Sequence, residues 1–140
     1  MRSRGLLLLL PLILHAADAV TPGRFVVERP TLICLGFEWQ ITGDDNRNAT
    51  VEVGYRKTGE SGWREALPLL RQGGERIYNR SVHLEYIVPD MFAGSILDLE
   101  PGAEYECRFQ LRDPDGVRGE PLRTVKVRTR SAPKAAAGGR

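Results

Sequence analysis

From Tyr105 onward the chain alternates with a period of two. Tyr105, Cys107, Phe109 and Leu111 are apolar, and Glu106, Arg108, Gln110 and Arg112 between and after them are polar. Successive strand side chains point to opposite faces, so this pattern predicts a strand with one face in a core and the other in water. The same spacing recurs upstream. Ile33, Leu35, Phe37 and Trp39 predict a strand with Glu38 and Gln40 outward, and Val51, Val53 and Tyr55 another with Glu52 and Arg56 opposite. A short first strand is expected at 25–28, ended by Arg29-Pro30, and a further short one at 63–67. Residues 92–99 carry Ile96 and Leu99 toward the core, and Val125 and Val127, set against Lys126 and Arg128, predict the closing strand. Residues 68–89 are the least patterned: 71–76 read as a loop, and 82–86 as a strand on weaker alternation.

The punctuation between these segments is that of turns. Residues 43–48 are Gly, Asp, Asp, Asn, Arg and Asn, a loop rich in residues that hydrogen-bond their own backbone. Asp113-Pro114-Asp115-Gly116 places Pro second and Gly fourth, as a hairpin turn requires. Arg118-Gly119-Glu120 reads as a turn too. The part following the leader has no convincing amphipathic helix and no internal repeat. Short alternating strands separated by turns predict an all-β sandwich or barrel.

The two ends read differently. Arg2 and Arg4, an apolar stretch from Leu6 to Leu14 broken by Pro11, and Ala17-Asp18-Ala19 have the order of an export signal, expected at 1–19. The apolar stretch is too short to span a bilayer, so no membrane span is expected in the mature chain. Removing 19 of the 140 residues leaves 121, enough for a single sandwich core. The expected location is secreted, periplasmic or cell-surface. Residues 131–140 read as a disordered tail or linker. Loss of Arg2, Arg4 and Asp18 lowers the net charge from +2 to +1, with Arg and Glu interspersed. Phosphate binding needs clustered positive charge, so no nucleic-acid partner is expected.

Equipment for catalysis is sparse. His83 is the single histidine after the leader, and no Gly-x-Ser-x-Gly accompanies it. Asp44, Asp45, Asn46 and Asn48 offer oxygen ligands, but their spacing is not that of a calcium loop and no bidentate Glu closes them. Loop turns are the preferred reading. No catalytic residue, metal or cofactor is expected, and the chain is not read as an enzyme. Trp63 and Tyr78 are the candidate ligand contacts, as a stacking platform for sugars if both are exposed; core or rim packing is the preferred reading for both.

Leu99-Glu100-Pro101-Gly102-Ala103-Glu104-Tyr105 resembles the tyrosine corner of Greek-key sandwiches, with Leu99, Pro101 and Tyr105 as its structural residues. Together with Trp39 on the second strand, Val53-Gly54-Tyr55-Arg56 on the third and the closing strand at 125–129, it makes the chain similar to a fibronectin type III domain, expected over 24–130. The resemblance implies a seven-stranded immunoglobulin-like sandwich of two sheets. The segments at 43–49, 68–70, 91–95 and 112–117 resemble the amino-terminal module of exported bacterial proteins that carry a right-handed parallel β-helix. No part of this sequence is long enough to be that β-helix.

The corner resemblance also bears on Cys34 and Cys107, the only cysteines. Cys107 lies two residues after the corner Tyr, where immunoglobulin-type sandwiches place one half of an inter-sheet bridge. A Cys34–Cys107 disulfide is therefore expected, although type III domains ordinarily lack one. Alternation from Trp39 points Cys34 outward, so the bridge needs a bulge at Leu35-Gly36; two separate thiols are the alternative. The resulting expectation is a noncatalytic exported module that acts as a spacer or a protein or ligand platform, either free-standing or as the front part of a larger extracellular protein. A carbohydrate-binding accessory domain of a polysaccharide-processing enzyme is the alternative.

Overall fold

The computed structural model describes residues 18–134. The leader expected at 1–19 lies almost wholly outside them, as do residues 135–140 of the expected tail. The protein is all-β. Among the described residues there are ten strands and a single turn of 3-10 helix at Arg80–Val82: β1 (Thr21–Val27), β2 (Leu35–Thr42), β3 (Thr50–Lys57), β4 (Arg64–Glu65), β5 (Leu70–Gln72), β6 (Arg76–Asn79), β7 (Leu84–Ile87), β8 (Met91–Ile96), β9 (Glu104–Arg112) and β10 (Leu122–Arg128). No helix among these residues is long and apolar enough to cross a membrane.

Eight strands form two four-stranded antiparallel sheets, one in the order β1-β2-β8-β5 and the other β10-β9-β3-β4. The remaining pair, β6 and β7, forms a separate ribbon. The resemblance implied seven strands; the described residues hold ten, among them the very short β4 and β5 and the two strands of the ribbon. The layers pack through the alternating faces legible in the sequence. Leu35, Phe37, Trp39 and Ile41 of β2 are buried against Tyr105, Cys107, Phe109 and Leu111 of β9, with Val51 and Val53 of β3 and Phe92 and Ile96 of β8 completing the layer. Rings of Phe37 and Phe109 lie 4.6 Å apart across the interface, and Phe25 reaches Phe109 at 4.9 Å and meets Trp39 edge-on at 5.6 Å. Each fully buried side chain of this size contributes roughly 1.5–3 kcal/mol. Trp39 Nε1 is buried without a hydrogen-bond partner.

Three expectations change. The first strand starts at Thr21, ahead of Phe25, and Val20 before it is fully buried. Ile33 lies outside β2 and is 47% exposed, because Thr31 turns the chain there: its hydroxyl accepts the N–H groups of Ile33 (3.3 Å) and Cys34 (2.9 Å). The expected Cys34–Cys107 disulfide is corrected, since both cysteines are free. The register Leu35↔Ile96, Gly36↔Ser95, Phe37↔Gly94 runs without a bulge. Leu35 therefore takes the inward position, and Cys34, one residue earlier, is denied it.

Candidate interaction surfaces

The corner comes from the link between β8 and β9. Glu100 N–H donates to Tyr105 Oη at 2.9 Å, with Leu99 buried beneath and Pro101 exposed above. The turn is held from a second side. Thr129, 2% exposed, donates its hydroxyl to Glu100 C=O at 2.6 Å and accepts Ala103 N–H at 3.1 Å. This is a structural knot, and on its outer side lies an open depression of about 420 Å³ lined by Lys57, Glu100, Gly102, Glu104 and Arg128.

Trp63 lies on the outer face of the second sheet. It borders a groove of about 750 Å³ lined also by Glu52, Arg108, Gln110, Arg112 and Leu122. The guanidinium carbons of Arg108 and Arg56 lie 4.4 and 4.6 Å from the indole centroid, within cation–π range. Gly54 makes room for this: a Cβ there would meet Arg108 Nε at 2.8 Å. Arg56 in turn donates to Glu106 Oε2 at 2.6 Å, and Lys126 Nζ lies 3.0 Å from Glu106 Oε1. Hydrogen bonds from Lys126 and then Arg56 hold the Glu106 carboxyl below its ordinary range.

Tyr78 is elsewhere, on β6, so the structure does not bring it together with Trp63 as one stacking platform. It is 62% exposed and its one charged neighbour over the ring is Arg76, 5.9 Å from the centroid. The ribbon that carries it forms an arm continuing the β5–β8 pairing outward. Gly74 N–H donates to Val88 C=O at 2.8 Å and Val88 N–H to Glu75 C=O at 2.9 Å, so the ladder runs on past the sheet. Ile77 pairs with Tyr86 and Asn79 with Leu84 on one face; Arg76 pairs with Ile87 and Tyr78 with Glu85 on the other. Every residue of both strands is exposed, including Ile77, Leu84, Tyr86 and Ile87. Arg76 and Glu85 form an ion pair along one face. At the tip, Asn79 Oδ1 accepts Ser81 N–H at 3.0 Å, and His83 caps the turn in the left-handed region with φ +51°.

The arm is anchored at its base. Asp44, fully buried, accepts Arg71 Nε at 2.6 Å on one oxygen and Ala49 N–H at 2.9 Å on the other. Arg71 also reaches Asp90 Oδ1 at 2.9 Å. Gly73 takes φ +144°, and a Cβ there would lie 2.2 Å from Asp90 Oδ1, so no other residue fits. The remaining loop residues serve the opposite corner: Asn46 and Asn48 both donate to Asp115 Oδ2, at 2.7 and 2.8 Å. Of the four residues weighed as calcium ligands, Asp44 thus belongs to one hydrogen-bond cluster and Asn46 and Asn48 to another, while Asp45 is exposed. Among the described residues no three His, Cys, Asp or Glu side chains converge on one point.

Sequence reading caught one strand of the arm, expected at 82–86 and found at Leu84–Ile87, and took 71–76, which holds most of β5 and the start of β6, for a loop. Gly73-Gly74 at the base and the polar tip Asn79-Arg80-Ser81 were the local signals of its turns. The Asp44–Arg71 pair, 27 residues apart, left no local trace.

No family model matches the chain, and no curated protein matches it. Among solved structures it is similar to a β-sandwich protein redesigned by computer, at a TM-score of 0.47 and 16% identity, over 79% of this chain and 95% of that one.

Proposed function

We propose that the protein is a noncatalytic, exported β-sandwich module of the fibronectin type III class that works as an interaction platform, with the arm as its contact element. The class is supported by the Leu99–Tyr105 corner and by strand orders that set β1-β2-β8 against β10-β9-β3. The observation that carries the function is the arm's exposure. Ile77, Tyr78, Val82, Leu84, Tyr86 and Ile87 are 45–65% exposed on a ribbon that, among the described residues, has no second layer on either face. A two-stranded ribbon gains little stability alone, and apolar side chains on both faces gain when a partner covers them. The occupant that fits is a protein surface with an apolar cleft as wide as two strands.

A photo-crosslinking residue placed at Tyr86 of the exported protein, with another at Arg123 as control, tests this. Adducts are expected from Tyr86 alone, and are expected to vanish when Ile77→Asp and Leu84→Asp are added without change in melting temperature. Equal yields from both positions, or none from Tyr86, reject the arm as contact element.

The groove beside Trp63 favours one further reading, a carbohydrate-binding accessory domain. Its aromatic wall and the amide and charged groups of Gln110, Glu52 and Arg112 are the chemistry that stacks on and hydrogen-bonds a sugar. Affinity electrophoresis through gels containing soluble polysaccharides should then retard the protein, and Trp63→Ala should abolish the effect. Unretarded migration in every gel removes this reading.

A further inference from the structure

Val20 is held firmly at the edge of the sandwich. It is fully buried, it bridges Val117 in parallel, and its C=O accepts Arg118 N–H at 2.8 Å. Its nitrogen faces two acceptors at once, Asp113 Oδ2 at 2.7 Å and Gly116 C=O at 3.1 Å. A peptide N–H has one hydrogen to share between them. An ammonium has three, and a charge that the carboxylate complements. Asp113 is itself fixed, since its other oxygen accepts Asp115 N–H at 2.8 Å within the turn that Gly116 N–H closes onto Asp113 C=O at 3.0 Å.

The residue so placed is the one that follows Ala17-Asp18-Ala19. We propose that hydrolysis of the Ala19–Val20 peptide bond creates the mature amino terminus, and that the turn at 113–116 is a socket for the new Val20 α-ammonium, which pairs with Asp113. Water adds across the bond: Ala19 leaves as a carboxylate and Val20 gains the amine, which takes up a proton. The inference rests on the export reading above and adds to it a processing site and the group that receives its product.

Expression of the full 140-residue chain in an exporting host, followed by intact mass and amino-terminal sequencing of the recovered protein, is the first test. A product beginning at Val20 is expected. Unprocessed chain retained inside the cell overturns the export reading and the socket together. An exported product beginning at any other residue overturns the socket and leaves export standing. The second test is a coupling cycle on the exported protein. One Ser inserted between Ala19 and Val20 moves the ammonium away from the socket, and Asp113→Asn removes its counter-charge. Each change alone should lower the folding equilibrium constant roughly tenfold, whereas the insertion should change it less than about twofold when D113N is already present. Additive effects overturn the pairing, and the sequencing result stands as its own test should a variant fail to fold.

Discussion

Asp44 and Arg71 form an ion pair at 2.6 Å in which the carboxylate is fully buried and the guanidinium side chain is 11% exposed. The pair ties the loop between β2 and β3 to the strand from which the arm departs. Removing one member leaves the other desolvated without its partner, an effect that generally exceeds the worth of the pair itself. Asp90 remains for Arg71, which softens the loss. Asp44→Ala should therefore destabilise by about 2–3 kcal/mol in urea unfolding. A change below about 0.5 kcal/mol would mean that the pair does not hold the loop.

Tyr105 and Thr129 act on the same turn, from β9 and from the end of β10. Tyr105→Phe deletes the acceptor for Glu100 N–H and should cost about 1 kcal/mol, and Thr129→Val should cost about 1–2 kcal/mol by leaving Glu100 C=O and Ala103 N–H unpaired. Because each substitution frees the same backbone, the double variant should lose less than the sum. Strict additivity in chemical denaturation would show the two contacts to be independent.

Stability should fall in acid. Lys126 and Arg56 hold Glu106 below its ordinary pKa, Lys57 does the same for Glu100, and the amides of Asn46 and Asn48 do so for Asp115. A carboxyl depressed in the folded state contributes stability above its unfolded pKa, near 4, and loses it as pH drops through the lower folded value. Melting temperature should thus be flat with respect to these groups from about pH 6 down to 5 and decline below about pH 4. Glu106→Gln should shallow that decline. An unchanged slope in the Gln variant would assign the acid sensitivity elsewhere.

The two thiols should differ sharply in reactivity. Cys107 is fully buried and burial pushes its thiol up to about 12, which leaves almost no thiolate at neutral pH. Cys34 is half-buried beside the Thr31 turn. Iodoacetamide should add one group to the native protein, at Cys34, and two after unfolding. Native mass lacking two hydrogens, with no alkylation, would restore the disulfide.

The sandwich was legible because its signal is local. In β2 and β9 every second residue is apolar, and a pleated strand converts that order directly into a buried and a solvated face whatever it packs against. The Leu99–Tyr105 part of the corner is equally local, whereas the Thr129 contacts to the same turn come from 26 and 29 residues away and left no local trace. What lay beyond sequence was set by partners far along the chain. The direction of Cys34 followed from the unbroken pairing of β2 with β8. Asp44 found Arg71, Asn46 and Asn48 found Asp115, and Val20 found Asp113 93 residues away. Residues 68–89 lacked a clean apolar face because, of them, Leu69 alone joins the buried core. Alternation records which side of a strand meets the interior; which loops and edges meet each other is decided by how the two sheets close, and only the folded chain holds that information.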